Sequence, residues 1–186
     1  MSSVAVDSYS AHATGLFKKE NRYRLYIFAG FVALSILVYF RFEPHRQPTG
    51  GDLSMWDYMS QSIVRGEIPY KDVVNIKTPL GSYLAAGAIW ITRPFGVRDI
   101  IAIRYIYILL AALTVGMTYL IAEIYLRRRA VALLAGMVML TYDMFGIWNA
   151  SGTQVKTATL LFGLLSLYAV SRSQWALAGC WGGHPA

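Results

Sequence analysis

This sequence predicts an all-α fold, a polytopic membrane helix bundle with about four transmembrane helices and short interfacial helices in its first outer loop. Three observations carry that prediction. The 186 residues are 56% hydrophobic with mean hydropathy +0.43, above the roughly 45–50% apolar content of a soluble domain. Apolar runs long enough to cross a bilayer recur along the chain. Basic residues gather at the ends of those runs, where they set membrane orientation.

The formal charge of +7 does not point to nucleic acid, because no basic stripe or recognition module accompanies it. The single Cys180 excludes an intrachain disulfide. The three histidines, His12, His45 and His184, are isolated, and no phosphate-binding loop, HExxH or GxGxxG is present. Neither a metal nor a bound cofactor is predicted, and a divalent metal requirement stays open.

Residues 1–24 read as a mobile cytoplasmic tail, polar and non-periodic, ending in Lys18, Lys19, Arg22 and Arg24. Residues 25–42 form the first span. Its apolar run exceeds the roughly 7–15 residues of a signal peptide, and RFEPHRQP is no cleavage site. By the positive-inside rule the tail is cytoplasmic and the following loop lies outside.

That loop, 43–96, is the polar centre of the sequence. Ser54 followed by Asp57 reads as a capping box. Met55, Tyr58, Met59, Ser62 and Ile63 follow at helical spacing, with Gly66 as the stop. GEIPYKDVVNIK reads as an extended connector, since Pro69 forces Ile68 out of helical geometry. Thr78-Pro79 reads as a cap with proline at the first helical position. It opens a second short apolar helix, closed by Arg93-Pro94, with Trp90 at headgroup level.

Residues 97–126 form the second span, and Arg127, Arg128 and Arg129 place its far end in the cytoplasm, in agreement with the first. Arg104 lies about two turns inside it. Snorkelling to the interface is its bland reading, and binding an anionic group the sharper one. Glu123 sits near the other end, within reach of the arginines. Spans three and four are expected at 130–148 and 157–171, with Asp143 in a second outer loop. From 175 a fifth hydrophobic element begins and does not cross. Residues 25–186 thus form one membrane domain.

The chemistry-bearing residues lie on the outer side. Asp52 follows a Gly-Gly pair just before a helix, where the dipole favours its ionised form, and a carboxylate there can take a proton from an acceptor hydroxyl. Its bland reading is a cap; for Asp57 capping already suffices. Lys71, Lys77, Arg98 and Arg104 together can neutralise a phosphate, and singly each can be a headgroup contact. Asn149-Ala150-Ser151 is a glycosylation triplet of a kind frequent by chance.

Gly51-Asp52, Gly66-Glu67-Ile68-Pro69-Tyr70-Lys71-Asp72 and Lys77-Thr78-Pro79-Leu80 form an ordered set. It resembles the first outer loop of GT-C glycosyltransferases, in particular the bacterial dolichyl-phosphate-mannose protein mannosyltransferase-like group. The later GTQVKTATLLFGLLSLYAVSR is similar to a segment of the same group. The resemblance implies a sugar donor carried on a polyprenyl phosphate. It implies Asp52 as catalytic base or orienter of the acceptor, with Asp143 as a second acidic position. Lys77, Arg104 and Lys71 become ligands of the donor phosphate. Family members are considerably longer, so the chain is expected to be the N-terminal part of such an enzyme. The alternative is a catalytically inactive truncated homologue acting as a membrane scaffold. Membrane lipids, the polyprenyl-phosphate sugar and, under the alternative, other membrane subunits are the expected partners.

Overall fold

A computed structural model describes the backbone of residues 3–73 and 79–182, and side chains for residues 22–73 and 79–181. Eight α-helices appear among the described residues. They are α1 (Ser3–Phe40), α2 (Asp52–Val64), α3 (Leu80–Thr92), α4 (Asp99–Leu126), α5 (Arg129–Leu140), α6 (Asp143–Ser151), α7 (Val155–Ser171) and α8 (Trp175–Gly182). A single 3-10 turn, Arg93–Phe95, joins α3 to α4.

Two helices are long and apolar enough to cross a membrane, Arg22–Phe40 of α1 and Asp99–Leu126. A third crossing is possible if α5 and α6 act as one broken span, bent by 50° at Thr141-Tyr142. The all-helical prediction therefore holds and the chain reads as a membrane protein, but four spans are not what the helices show. The run 130–148, expected as one straight span, breaks into two helices, and α7 is 17 residues long, at the short edge of what bridges about 30 Å of hydrocarbon at 1.5 Å per residue. Residues 3–24, expected as a non-periodic tail, continue α1 as helix. Nothing in that stretch interrupts it: there is no proline, and its one glycine, Gly15, costs a helix only about 1 kcal/mol.

The centre of the bundle is α4. Its apolar window is 72% buried, against 17% for that of α1, and it packs against α1, α2, α3, α5, α6 and α7. One face of α4 supplies Ile108, Ala111, Val115 and Tyr119 to a cluster with Phe31 and Tyr39 of α1, Ala132 of α5 and Phe145 of α6. Another face supplies Ala102, Ile103, Tyr107 and Leu110 to a cluster with Ala85 and Ile89 of α3 and Ala158 and Leu161 of α7. Lipid offers little hydrophobic drive to helix association, so close packing through small residues must supply the attraction. Gly116 shows this: an added Cβ would sit 2.8 Å from the Phe28 ring. On α1 the buried residues Phe31, Ser35 and Tyr39 recur every four positions, the stripe one helix face presents.

Both short helices expected between the first two spans are present, with their ends fixed by local chemistry. α2 starts at Asp52 because Gly51 holds φ 57°, ψ −136°, backbone that glycine adopts without cost. Ser54 is not the cap; its hydroxyl donates back to Gly51 O at 2.7 Å. Gly66, at φ 91°, ends the helix as expected, with Glu67 N donating to Ser62 O at 3.0 Å. The expected extended connector opens as a turn: Tyr70 N donates to Val73 O at 2.9 Å and Ile68 N to the Asp72 carboxylate at 2.8 Å. Pro79 stands at the N-cap of α3, one position earlier than expected.

Candidate functional site

The end of the bundle where α4 begins holds a buried polar centre. Arg104, only 4% exposed, lies one and a half turns into α4. Its guanidinium donates to Pro44 O, to Gln47 O and Thr49 Oγ1 at 2.7 Å each, and to Ser151 O at 3.2 Å. A planar fork with five donors suits such a spread of acceptors. One side chain thereby holds the connector 44–49, which leads into Asp52, against the C-terminus of α6.

Asp57 completes the centre from α2. It is 4% exposed, and its Oδ1 accepts from Thr153 N at 3.0 Å and from Thr153 Oγ1 at 2.6 Å. Its Oδ2 is buried without a hydrogen-bond partner and faces Gly152, where an added Cβ would meet it at 2.8 Å. Burial pushes the Asp57 carboxyl above its ordinary value; the two Thr153 bonds and the nearby Arg104 charge work against that rise. Asp57 is therefore not a helix cap, as its spacing from Ser54 suggested. It is the tie between α2 and the α6–α7 turn.

Two further bonds extend the tie to α3. Ser82 Oγ donates to Trp56 O at 3.2 Å, and the Tyr107 hydroxyl of α4 donates to Gly81 O at 2.9 Å. Gly81 is required there, because a Cβ would lie 2.7 Å from Val155 Cγ2 and 3.0 Å from the Tyr107 oxygen. The α3 start is thus wedged between α4 and α7.

The expected site residues divide into three groups. Asp52 and Asp143 are the first residues of α2 and α6, and both are exposed. Each carboxylate thus stands at the positive end of a helix dipole. Lys71 is exposed in the turn before residue 74, and Lys77 lies outside the described residues. Arg104 is inside, with four of its N–H groups committed to acceptors of this chain, which ties the connector 44–49 to α6. Arg98, at the N-cap of α4, is exposed. Asn149 of the glycosylation triplet is 1% exposed and its amide donates to Phe145 O at 2.7 Å, so it is packed as a core residue. Among the described residues, no three His, Cys, Asp or Glu side chains gather as a metal site would need.

Sequence reasoning missed Asp57, Thr153 and Tyr107. A signal existed: α2 buries Asp57, Met59, Ser60 and Ser62, while Met55 and Tyr58 stay exposed. Asp57, Ser60 and Ser62 turn inward together with Met59, so only the Met55 and Tyr58 part of the expected apolar stripe stays outside.

Comparison of the chain with protein-family profiles, with curated proteins and with solved structures gives no match in any of the three.

Proposed function

We propose that this chain carries the first-loop site of a membrane glycosyltransferase that takes its sugar from a polyprenyl-phosphate donor. The reading is supported by the ordered motif set and by where those motifs sit. Gly51-Asp52 lies at the start of α2 and Pro79-Leu80 at the start of α3. These two helices are tied to each other by the Ser82–Trp56 bond and to α4 by Tyr107. A rigid base under two short helices is what a reaction governed by positioning needs.

In this reading the acceptor O–H attacks the anomeric carbon and the bond from that carbon to the phosphate oxygen breaks. The electron pair leaves with the lipid phosphate and the acceptor proton passes to Asp52. Lys77 and Lys71 meet the donor phosphate, and Asp143 offers a second carboxylate. Arg104 serves indirectly, by fixing the connector that ends at Asp52.

The test uses the purified chain in proteoliposomes with a panel of labelled polyprenyl-phosphate hexoses, following donor retention and sugar release separately. Lys77→Gln should lose retention. Asp52→Asn should keep retention and lose release by about 10²–10⁴-fold, the usual weight of a general base. Equal release from Asp52→Asn and the parent removes Asp52 from the mechanism. A parent chain that retains no donor and copurifies with a stoichiometric membrane partner points to the scaffold alternative.

A further inference from the structure

At the opposite end of α4 a second charged centre lies outside anything the proposed transfer uses. Glu123 is 3% exposed. It pairs with Arg24 of α1 at 3.5 Å and with Arg129 of α5 at 3.7 Å, and accepts from the Tyr119 hydroxyl at 2.7 Å. The carboxylate therefore draws arginines from two helices toward one point. Beside it is a cavity of about 300 Å³ lined by Arg24, Glu123, Ile124, Arg127 and Arg129. Arg24, Arg127 and Arg129 thus line this cavity together with the one carboxylate of Glu123. α5 adds to this, since its N-terminus has no side-chain cap and no acid in its first turn, leaving backbone donors and the positive dipole end beside Arg129.

A second cavity, of about 480 Å³, shares Arg24 and Ile124 with the first and lies beside it. Its other walls are mainly apolar, with Leu25 and Phe28 of α1, Met117 and Leu120 of α4 and Leu165 of α7, and Arg172 at its rim. An arginine-lined pocket beside an apolar groove between α1, α4 and α7 matches one ligand chemistry, a phosphate with an attached hydrocarbon chain.

We infer that this end of the bundle binds one anionic diacyl phospholipid, its phosphate among Arg24, Arg127 and Arg129 and one acyl chain in the Leu25–Phe28–Leu165 groove. Positive charge at a membrane boundary usually acts diffusely, each residue adding roughly equally to attraction for an anionic leaflet. Here the cavity assigns unequal roles to neighbours: Arg127 and Arg129 line it and Arg128 does not. That inequality separates a site from a charged surface.

Native mass spectrometry of the full chain in neutral detergent, titrated with dioleoyl-phosphatidylglycerol or dioleoyl-phosphatidylcholine, reads the difference. One phosphatidylglycerol should be retained per chain in preference to phosphatidylcholine. Arg127→Gln should weaken that retention about fivefold, the weight of one basic residue near an anionic headgroup, while Arg128→Gln leaves it unchanged. Arg129 is also Glu123's partner, so Arg127 is the cleaner variant, and unchanged circular dichroism confirms its fold. Dihexanoyl-phosphatidylglycerol should bind at least about tenfold more weakly, because each buried methylene adds to affinity. Equal losses in Arg127→Gln and Arg128→Gln, or equal retention of the two headgroups, overturn the site in favour of diffuse charge. Equal binding of the short-chain lipid, or full displacement by inorganic phosphate, removes the groove from it.

Discussion

Replacing Arg104 with methionine is the sharpest test of the centre that underlies the proposed site. The substitution keeps the length and apolar stem of the side chain and deletes four donated hydrogen bonds, to Pro44 O, Gln47 O, Thr49 Oγ1 and Ser151 O. Side-chain hydrogen bonds in a membrane protein average about 0.6 kcal/mol each, which sets a floor of roughly 2.4 kcal/mol for the four. Bonds from a charged donor reach about 1.5 kcal/mol or more, which raises the figure to roughly 6 kcal/mol. Gln47 is only half-buried and Thr49 is exposed, so water can replace part of what is lost, and about 3–4 kcal/mol is the expected cost. Tryptophan fluorescence during denaturation in mixed micelles measures it directly, since Trp56 lies next to Asp57 on α2. At about 2–4 °C per kcal/mol for a chain of this size, the midpoint should fall by about 10 °C. Arg104→Lys should recover less than half, because an ammonium cannot reach acceptors spread along the connector and α6 at once. A methionine variant within about 1 kcal/mol of the parent would show that the connector does not depend on Arg104, and the positioning role assigned to it would fall.

Two further outcomes follow from Asp57. Its carboxyl is held above the ordinary value chiefly by burial, so within the window from about pH 4 up to that raised value the folded chain binds more protons than the unfolded one. Stability should then fall as pH rises through this window and level off above it. Asp57→Asn keeps an oxygen for the two Thr153 donors, places an amide where Oδ2 has no partner, and should stay within about 1 kcal/mol of the parent. It should also lose the pH-dependent fall, and matching profiles for the two proteins would refute the account. Gly152→Ala pushes a methyl to within 2.8 Å of Asp57 Oδ2 and should cost about 1–3 kcal/mol by overpacking. In combination with Asp57→Ala that penalty should shrink, and a fully additive pair would show that the two residues do not meet.

What the sequence made readable follows from how local each signal is. The long apolar run 97–126 and its arginine-flanked end are legible from hydropathy alone, as are Gly66 at the end of α2 and the short helix closed by Arg93-Pro94. The break at Thr141-Tyr142 is not. No proline or glycine marks it; Thr141, Tyr142 and Asp143 interrupt the apolar run there, but apolar residues resume to Trp148, and a polar step of that kind does not by itself separate the end of a span from a 50° bend within one. Asp57 failed for a related reason. A Ser-x-x-Asp spacing at a helix start has a sufficient local explanation, and only packing against Thr153, 96 positions later, assigns the carboxylate elsewhere. Arg104 shows the same limit: a cation two turns into a span reads equally as a ligand or an anchor until its acceptors are known.

The consequence for mechanism lies in how the two ends of that network differ. Asp52 and Asp143 are exposed at helix starts, where a substrate can reach them. Asp57 and Arg104 are each 4% exposed and reach no substrate without the fold opening. Their link runs from Arg104 through the connector that ends at Gly50-Gly51, and from Asp57 along less than two turns of α2, so both paths converge on Asp52. A substitution at Arg104 should therefore misplace the Asp52 carboxylate without removing it. In the transfer assay this predicts reduced sugar release with donor retention intact, a partial loss that persists at temperatures where the variant is fully folded. Asp52→Asn should lose release at every temperature. If Arg104→Lys, at temperatures where it is fully folded, transfers sugar as fast as the parent, the connector does not set the Asp52 geometry and the buried centre serves stability alone.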